Sequence, residues 1–283
     1  MRITITGGSG FIGTQLANFL IKKGHKITIA DIKEPKGDLR KFYKFCDVTD
    51  PFQVKDIVDQ AKLVFHLAAN PNPGLAERNP RWDLRINVYG TMNILNACMR
   101  NNSRMIFTSS AAVKYSPYSC YAISKRTAEK YILHYVEKSN LDAVITRFWN
   151  VYGPTQGLGY VIPDFIDKLS KNPDRIEIRG TGFDMRDFVY IDDVIRALWV
   201  VADKGKSGTI YEVGTNTQVT IRELAQLIGK LMNKKIPEVV PSRSIKVWSR
   251  KEIKEDLEPL KSLGWVPRVG LDEGILKVLR SRK

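Results

Sequence analysis

Thr6-Gly-Gly-Ser-Gly-Phe-Ile-Gly13 stands between a β-branched run, Arg2 to Thr6, and a segment with helical periodicity, Gly13 to Lys23. Glycines permit a tight turn and a close approach of the backbone to a phosphate, and a helix amino terminus supplies N–H donors to a pyrophosphate. The glycines fit both Gly7-x-x-Gly10-x-x-Gly13 and Gly8-x-Gly10-x-x-Gly13. Either spacing suits a dinucleotide, so this strand, loop and helix predict the start of a nucleotide-binding domain.

The first half of the chain continues to alternate β-branched runs with helical patterns, which is typical of a parallel sheet covered by helices. Further strands are expected at Lys26 to Ala30, Lys44 to Asp47, Leu63 to Leu67, Arg104 to Thr108 and Ala143 to Arg147. Helices are expected from Trp82 to Arg100 and over the segment that carries Tyr121. The pattern predicts an α/β fold with a Rossmann-type, doubly wound parallel sheet of about six or seven strands.

The composition changes after Asn150, where a turn-rich stretch favours the start of a second lobe. Expected elements beyond it are the helix Val161 to Ser170, a strand running into a helix from Phe188 to Ala202, the strand Thr209 to Val213 and the helix Ile221 to Met232. We therefore predict a cofactor domain of residues 1–150, to which residues 186–213 return. Residues 151–185 and 214–283 would form a smaller α/β C-terminal substrate lobe.

Asp31 ends the second predicted strand, about 20 residues after the glycine loop, where a carboxylate can bind the ribose hydroxyls of a dinucleotide. Its negative charge would repel a 2′-phosphate, so NAD is favoured over NADP. Lys33 lies close by in the sequence and leaves NADP open as the alternative.

Two further segments are candidates for the cofactor site. Asp47 and Val48 are expected beside the adenine, although Asp47-Val-Thr-Asp50 is also an ordinary helix-capping sequence. The small residues of Leu67-Ala-Ala69 follow a buried strand and would let the cofactor lie across its carboxyl end. His66, just before them, is expected to be structural.

Tyr121 and Lys125 are four residues apart on a predicted helix and therefore share a face. A free phenol has a pKa of about 10, and lowering it by about three units requires roughly 4 kcal/mol of preference for the phenolate. A partly buried cation and an oxidised nicotinamide can supply that preference. The same spacing also occurs on solvated helix faces, so the pair predicts redox chemistry only in combination with the glycine loop.

Together these residues resemble the extended short-chain dehydrogenase/reductase family, and within it the nucleotide-sugar epimerases of the UDP-glucose (UDP-galactose) 4-epimerase type. The resemblance covers nearly the whole chain. The matching elements are Thr6-Gly-Gly-Ser-Gly-Phe-Ile-Gly13, Asp31, Asp47-Val48, His66-Leu-Ala-Ala69, Asn87-Val-Tyr-Gly-Thr91, Thr108-Ser-Ser-Ala111, Tyr121-x-x-x-Lys125, Arg147-x-x-Asn-Val-Tyr-Gly-Pro154, Arg186-Asp-Phe-Val-Tyr-Ile-Asp-Asp193 and Leu263-Gly-Trp-x-Pro267.

The resemblance implies reversible 4-epimerisation of a UDP-hexose with tightly bound NAD. In this family Tyr121 would be the base, Lys125 would bind the nicotinamide ribose and lower the tyrosine pKa, and Ser110 would relay a proton to or from the sugar. The implied NAD-binding residues are Gly7, Gly10, Phe11, Ile12, Gly13, Asp31, Asp47, Val48, Leu67, Ala68, Ala69, Asn87, Ser109, Tyr121 and Lys125.

The implied substrate residues are Ser110, Asn150, Arg186 and Arg243. Arg186 would pair with a diphosphate through its rigid fork, or form a surface salt bridge with Asp187. For Arg243, which would be a second diphosphate ligand, Lys246 and Arg250 are the alternatives.

The chain departs from the family pattern in two places. Ten residues separate Ser110 from Tyr121, where relatives usually have about two dozen, and this puts the choice of sugar in doubt. Ala111 and Ala112 occupy positions where dehydratases of the family have Asp-Glu, so elimination of water would lack its proton donor. A dehydrogenase or reductase, or a non-catalytic NAD-binding protein, are the alternatives to an epimerase.

Composition limits the remaining function classes. The 283 residues are 43% hydrophobic and contain no apolar run of the roughly 20 residues that span a bilayer, so we expect no membrane association and a cytoplasmic protein. The cysteines at 46, 98 and 120 are scattered and indicate neither a disulfide framework nor a metal site. The charge of +15 suits an anionic substrate; because the basic residues form no recognition motif, specific nucleic-acid binding is not expected.

Apolar stripes on the helices Asn87 to Arg100 and Tyr121 to Val136 are expected either to pack on the sheet or to contact a symmetric copy. We expect a homodimer, as in relatives.

Overall fold

The computed structural model of the protein describes residues 1–235, 237–242 and 256–282. The elements up to Phe148 are, in chain order, β1 (Arg2–Thr6), α1 (Phe11–Lys22), β2 (Lys26–Asp31), a 3₁₀ segment (Gly37–Phe42), β3 (Tyr43–Phe45), α2 (Pro51–Val58), β4 (Leu63–His66), α3 (Pro73–Arg78), α4 (Pro80–Leu84), a π-helical turn (Arg85–Gly90), α5 (Thr91–Asn101), β5 (Arg104–Ser110), α6 (Ala112–Tyr115), α7 (Cys120–Ser139) and β6 (Ala143–Phe148).

The remaining elements are β7 (Asn150–Tyr152), α8 (Val161–Lys171), β8 (Arg175–Arg179), β9 (Met185–Tyr190), α9 (Ile191–Lys204), β10 (Ile210–Val213), β11 (Gln218–Thr220), α10 (Ile221–Leu231), β12 (Glu238–Ser242), α11 (Glu258–Lys261) and α12 (Leu271–Arg280). Over the described ranges, no helix has both the length and the apolar composition of a bilayer span.

The chain forms two compact units. The first comprises Met1–Phe148, Ile195–Val213 and Glu258–Trp265, and the second comprises Trp149–Val194, Gly214–Leu257 and Val266–Lys283. Residues 186–194 therefore group with the second unit, because β9 pairs with β7 and β11 rather than with the main sheet. The helix α11 groups with the first unit, because it packs against β10. The functional division into a cofactor lobe and a substrate lobe stays a prediction.

A seven-stranded parallel sheet forms the centre of the first unit, in the order β10-β6-β5-β4-β1-β2-β3. The strand order reverses between β1 and β4, which is the doubly wound arrangement whose ligands bind beyond the carboxyl ends of the strands at the switch point. The predicted α/β fold with a Rossmann-type sheet is confirmed.

The inner strands β1, β4, β5 and β6 are buried on both faces over nearly their whole length, as parallel strands covered by helices must be. In β1, Ile3, Thr4, Ile5 and Thr6 are all at most 2% exposed. The helix α1 covers one face with Leu16, Ala17 and Leu20, so the apolar stripe read from the sequence packs as expected.

The expected helix from Trp82 to Arg100 is interrupted. α4 ends at Leu84, the π-helical turn Arg85–Gly90 follows, and α5 begins at Thr91. A π-helical turn shifts the hydrogen-bond pattern by one residue and is frequent at functional sites. Apolar periodicity cannot reveal this change, because the buried stripe continues through it; Asn87 lies inside the turn.

The second unit contains two small sheets. One has the order β11-β9-β7, with β9 parallel to β7 and antiparallel to β11, and the other pairs β8 with β12 in parallel. α10 begins with a capping box in which Thr220 and Glu223 bind each other's backbone N–H groups, a strong helix start.

A buried ion pair joins α7 to β6 within the first unit. The Arg147 guanidinium donates from Nε and Nη2 to the two Glu129 carboxylate oxygens, at 2.8 and 2.6 Å. Their side chains are 19% and 3% exposed, and a second carboxylate, Glu212, lies 3.8 Å from Arg147 Nη1. Geometry of this bidentate kind compensates much of the cost of removing the charges from water.

We predict that Glu129→Gln lowers the free energy of unfolding by about 3 kcal/mol, because losing one partner of a buried pair leaves an uncompensated charge. The cost falls at the low end for such pairs because Glu212 remains near Arg147. Chemical denaturation measures the change. Glu137→Gln is the matched control, since Glu137 lies on the same helix but is 70% exposed and pairs with the exposed Lys138. Equal stability of the two variants would contradict a structural role for the buried pair.

Candidate active site

The glycine loop is held against the sheet by its own backbone. Gly7 N donates to Ala30 O at 2.8 Å, and Gly10 N donates to Gly7 O at 3.1 Å. Gly7 has φ +67°, and a Cβ atom there would lie 2.6 Å from Ala68 N. A Cβ atom at Gly13 would lie 2.4 Å from Gly7 O, so both positions require glycine.

The amino terminus of α1 is open to an anion. Its N-cap is Gly10, and no side chain of the described residues caps it. The first N–H groups of the helix therefore have no intrahelical partner and are available to a phosphate, as the sequence predicts.

Asp31 stands at the mouth of the same loop. Its carboxylate accepts from Ser9 N and from Lys33 N, each at 3.0 Å. The position at the end of β2, partly exposed, suits the ribose contact expected of it.

The Leu67-Ala-Ala69 segment leaves β4 beside the glycine loop. Leu67 N donates to Thr6 O at 3.1 Å, and Ala68 N donates to Thr6 Oγ1 at 3.3 Å. All three residues are partly exposed, in contrast to the buried strand before them. They line the loop from the opposite side to Asp31.

His66 is fixed as a neutral structural residue. Thr91 Oγ1 donates to Asn87 O at 2.6 Å, so it accepts from His66 Nε2 at 3.0 Å, while His66 Nδ1 lies 2.7 Å from Thr6 Oγ1. Burial, and to a smaller extent the Lys125 charge, lower the pKa of His66 to about 3. His66 therefore carries no charge at neutral pH.

In this structure Asp47 and Val48 each accept a hydrogen bond from another residue of the first unit. Asp47 Oδ1 accepts from Thr49 N at 2.8 Å, and Val48 O accepts from Asn93 Nδ2 at 2.9 Å. The N-cap of α2 is Asp50, which accepts from Phe52 N and Gln53 N. The capping alternative thus applies to Asp50, and the adenine contact of Asp47 and Val48 stays a prediction.

The two serines at the end of β5 differ in their contacts. Ser110 Oγ accepts from Ala112 N at 3.2 Å and is partly exposed. Ser109 is 4% exposed, and its Oγ has no hydrogen-bond partner among the residues described. Both lie at the carboxyl edge of the sheet, where the glycine loop also lies.

Ser119 begins α7 by accepting from Ala122 N at 3.2 Å, which places Tyr121 in the first turn of the helix and Lys125 in the next. Lys125 Nζ donates to Thr108 O at 2.9 Å and lies 4.9 Å from the centre of the Phe107 ring. The lysine therefore reaches from the helix to β5, two residues before Ser110. Tyr121, four residues before Lys125, is partly exposed.

Lys125 is 3% exposed, and burial lowers its pKa to about 8, against the charges of Asp83 and Glu129, which raise it. A buried ammonium whose pKa lies this close to neutral pH changes its protonation in response to small changes in nearby charge.

Asn87, inside the π-helical turn, is 1% exposed and connects two parts of the site. Its Nδ2 donates to Ser124 Oγ at 3.0 Å, and its Oδ1 accepts from Asn70 N at 2.8 Å. The sequence reasoning missed Asn70 and Ser124. Their adjacency to Ala69 and Lys125 was the available signal, but only the fold makes them partners.

The shortened segment between Ser110 and Tyr121 is anchored to the first unit at both sides. Lys114 Nζ lies 2.9 Å from Glu212 Oε1, and the Arg126 guanidinium donates to Val113 O. Because α6 is fixed by these contacts, its few residues have a defined place at the sheet edge.

The expected substrate residues of the second unit are positioned by β7 and β9. Asn150 Nδ2 donates to Asp187 O at 2.7 Å. Asp187 accepts from Thr215 N and Oγ1 at 2.7 and 2.9 Å, while Arg186 Nη2 lies 3.9 Å from Asp184 Oδ2. Arg243 and its alternatives, Lys246 and Arg250, lie outside the described residues.

The first unit fits a dinucleotide. The glycine cradle leaves no room for a Cβ atom at Gly7 or Gly13, and Ser9 Oγ and Ser109 Oγ are buried without partners among the described residues. Polar atoms left in this way indicate a ligand that completes their hydrogen bonds. The glycine loop and α1 would bind the pyrophosphate of the dinucleotide, and Asp31 would bind one ribose. Lys125 and Ser109 would bind the other end of the dinucleotide.

The model of the NAD dependent epimerase/dehydratase family matches residues 3–214. The chain belongs to this family. Members of this NAD-dependent epimerase/dehydratase family use NAD, which is therefore the cofactor, as predicted.

Relatives within the family agree on fold but not on one reaction. A putative UDP-glucose 4-epimerase of Methanocaldococcus jannaschii is 31% identical over 309 residues, covering 99% of this chain and 98% of the relative. The dTDP-D-glucose 4,6-dehydratase of Mus musculus is 30% identical over 312 residues, covering 98% and 87%. The UDP-glucose 4-epimerase of Thermotoga maritima, solved with UDP-glucose, is 28% identical with a TM-score of 0.89, covering 100% and 98%. The expected resemblance is confirmed.

We predict that Gly13→Ala weakens NAD binding at least about tenfold, because its methyl group would lie 2.4 Å from Gly7 O and force the loop to move. Isothermal titration with NAD-depleted protein measures the affinity. Gly157→Ala is the control, since a Cβ atom there meets nothing within 4 Å. Unchanged affinity in Gly13→Ala would contradict the assignment of the loop to the cofactor.

Proposed function

We propose that the protein is an NAD-dependent 4-epimerase that acts on a UDP-hexose such as UDP-galactose or UDP-glucose. The observation that carries the proposal is the pair of turns that begin α7 and bear Tyr121 and Lys125, with the buried lysine bonded to Thr108 O close to Ser110. Among the similar proteins, that of T. maritima is named a UDP-glucose 4-epimerase and that of M. jannaschii a putative UDP-glucose 4-epimerase.

In the proposed reaction the phenolate of Tyr121 accepts the proton of the sugar C4 hydroxyl, directly or through Ser110. NAD, when bound, would supply the hydride acceptor and donor for C4, so that the hydride could return to the opposite face of the 4-keto sugar. Lys125 stabilises the phenolate by its charge, since an adjacent cation lowers the pKa of a phenol. When the hydride returns, Tyr121 gives the proton back to the new hydroxyl, so no net proton or electron is consumed.

Arg186 and Asn150 are proposed to bind the nucleotide diphosphate and the sugar. A guanidinium binds a diphosphate with two parallel hydrogen bonds and so can keep the nucleotide fixed while the sugar turns. The hydrogen bond from Asn150 to Asp187 O ties the two substrate strands of the second unit together.

Dehydration of the sugar, the activity named for the mouse relative, is disfavoured by the residues after Ser110. Ala111 and Ala112 are 0% and 5% exposed and carry no group that can give or take a proton. Elimination of water requires an acid for the leaving hydroxyl. Epimerisation requires no proton-transfer group beyond Tyr121, which acts directly or through Ser110.

We predict that Tyr121→Phe retains NAD but lowers interconversion of UDP-galactose and UDP-glucose at least about a thousandfold, because general-base catalysis contributes roughly 10²–10⁴-fold. Chromatography of the two sugars after incubation without added cofactor measures the turnover. Tyr131→Phe, on the same helix and 39% exposed, is the control and should turn over normally.

Other products would identify the alternatives. Stoichiometric growth of NADH absorbance would indicate a net dehydrogenase, and a 4-keto-6-deoxy sugar would indicate a dehydratase. Near-normal turnover in Tyr121→Phe would remove this residue from the mechanism. Absence of turnover in the wild-type protein across UDP-, dTDP- and GDP-hexoses would leave NAD binding without the proposed catalysis.

We further propose that the protein is a homodimer formed through one face of α4, the π-helical turn, α5 and α7. Large apolar side chains on these helices are 37% to 49% exposed: Trp82, Leu84, Tyr89, Met99, Ile123 and Tyr131. An exposed apolar surface of this kind is typical of a protein interface. The cytoplasmic location expected from the sequence likewise stays a prediction.

We predict that Ile123→Glu converts the dimer to a monomer, because the charge would have to be buried at the contact. Light scattering coupled to gel filtration at micromolar concentration measures the mass. Phe45→Glu is the control, because Phe45 is 55% exposed on β3, the edge strand of the sheet beside β2, and lies on none of the helices of the proposed face. A monomeric wild-type protein, or an Ile123→Glu dimer, would contradict the proposal.

A further inference from the structure

Asp83, in the last turn of α4, is 0% exposed. Its Oδ1 accepts from Asn87 Nδ2 at 2.9 Å and from Asn70 Nδ2 at 2.8 Å. Its Oδ2 has no hydrogen-bond partner among the described residues. A carboxylate in such a place is costly unless neighbouring donors and charges compensate it, so its presence requires an explanation.

The contacts of Asp83 lead directly to the candidate catalytic turn. Asn87, which donates to Asp83, also donates to Ser124 Oγ at 3.0 Å. Ser124 in turn donates to Tyr121 O at 3.0 Å. Each of Asp83, Asn87 and Ser124 is at most 1% exposed, so this chain of hydrogen bonds is shielded from water.

A second branch leads to the cofactor side. Asp83 holds Asn70 through the amide Nδ2, and Asn70 N donates to Asn87 Oδ1 at 2.8 Å. Asn70 follows Ala69 directly, so the carboxylate also fixes the end of the segment that lines the glycine loop. One residue thus connects α4, the π-helical turn, the segment after β4 and α7.

The charge of Asp83 faces a cation. Burial lowers the pKa of Lys125 to about 8, and Asp83 is the larger of the two carboxylate contributions that oppose it. The other is Glu129, whose charge is already bound by Arg147 from β6. His66, which β4 contributes, is held neutral by the hydrogen bonds to Thr6 and Thr91.

We propose that Asp83 is a positioning residue of the active site: through Asn87 and Ser124 it fixes the first two turns of α7, which carry Tyr121 and Lys125, and its charge balances the Lys125 ammonium. This inference rests on the proposed function, in which Tyr121 transfers the proton and the Lys125 charge stabilises its phenolate. Asp83 itself touches neither the sugar nor the cofactor in this account.

The decisive variant is Asp83→Asn, because the amide oxygen can still accept from Asn70 and Asn87 while the charge is removed. The protein is studied with bound NAD, labelled with ¹³C and ¹⁵N lysine, and the Lys125 side-chain resonance is assigned by its loss in Lys125→Arg. Its titration midpoint is measured in the wild type, in Asp83→Asn and in the control Asp203→Asn, whose aspartate is exposed at the end of α9. Asp83→Ser, which leaves room for a water molecule, is the second variant.

The expected result is a Lys125 midpoint about one pH unit lower in either Asp83 variant, since an opposite charge nearby raises the pKa of an ammonium. Turnover of UDP-galactose should then fall progressively as the pH rises through the new midpoint, reach about a tenfold loss relative to wild type above the wild-type midpoint, and change little at lower pH, with an unchanged KM. A merely structural role would lower turnover by the same factor at every pH.

An unshifted Lys125 midpoint in a folded Asp83 variant overturns the inference, as does an equal shift in Asp203→Asn. The titration does not require turnover, so the Lys125 midpoint can be measured even if UDP-hexoses are not substrates. A shifted Lys125 midpoint in a protein that turns over no sugar would support the inference about Asp83 and refute the proposed function. An unshifted midpoint in a protein that interconverts UDP-galactose and UDP-glucose would refute the inference about Asp83 and support the proposed function.

Discussion

The hydrogen bond from the buried Lys125 ammonium to Thr108 O is the contact on which the candidate site depends. A cation removed from water is costly, so the fold must place carbonyl groups and opposite charges around it. Meeting that requirement fixes α7 against the end of β5. It thereby fixes the first turn of the helix, with Tyr121, relative to Ser110 at the end of the strand.

The parallel sheet supplies the other half of the arrangement. Because all of its strands run in one direction, the segments that leave their carboxyl ends meet at one edge of the sheet. The glycine loop leaves β1, Asp31 ends β2, Leu67-Ala-Ala69 leaves β4 and Ser110 ends β5. Residues that are about a hundred positions apart in sequence are thereby brought together, although no local sequence pattern encodes their proximity.

Much of this was readable from patterns. The β-branched run of β1 was predicted with its bounds, and the glycine loop was predicted because its glycine spacing stands between a strand pattern and a helix pattern. The interruption of the helix at Asn87 and the buried charge of Asp83 were not predicted. A carboxylate in an amphipathic helix is normally read as exposed, and its burial depends on partners from three other segments.

The sequence by itself determined the alternation of strands and helices, the glycine loop and the candidates for the chemically active side chains, because each of these is encoded by neighbouring residues. The tertiary structure alone decided which side chains are buried and paired. Lys125 becomes a group with a pKa of about 8 only because β5 and α7 enclose it, and Asn87 reaches Ser124 only through the π-helical turn. Burial and pairing are properties of distant segments brought together, so no local pattern contains them.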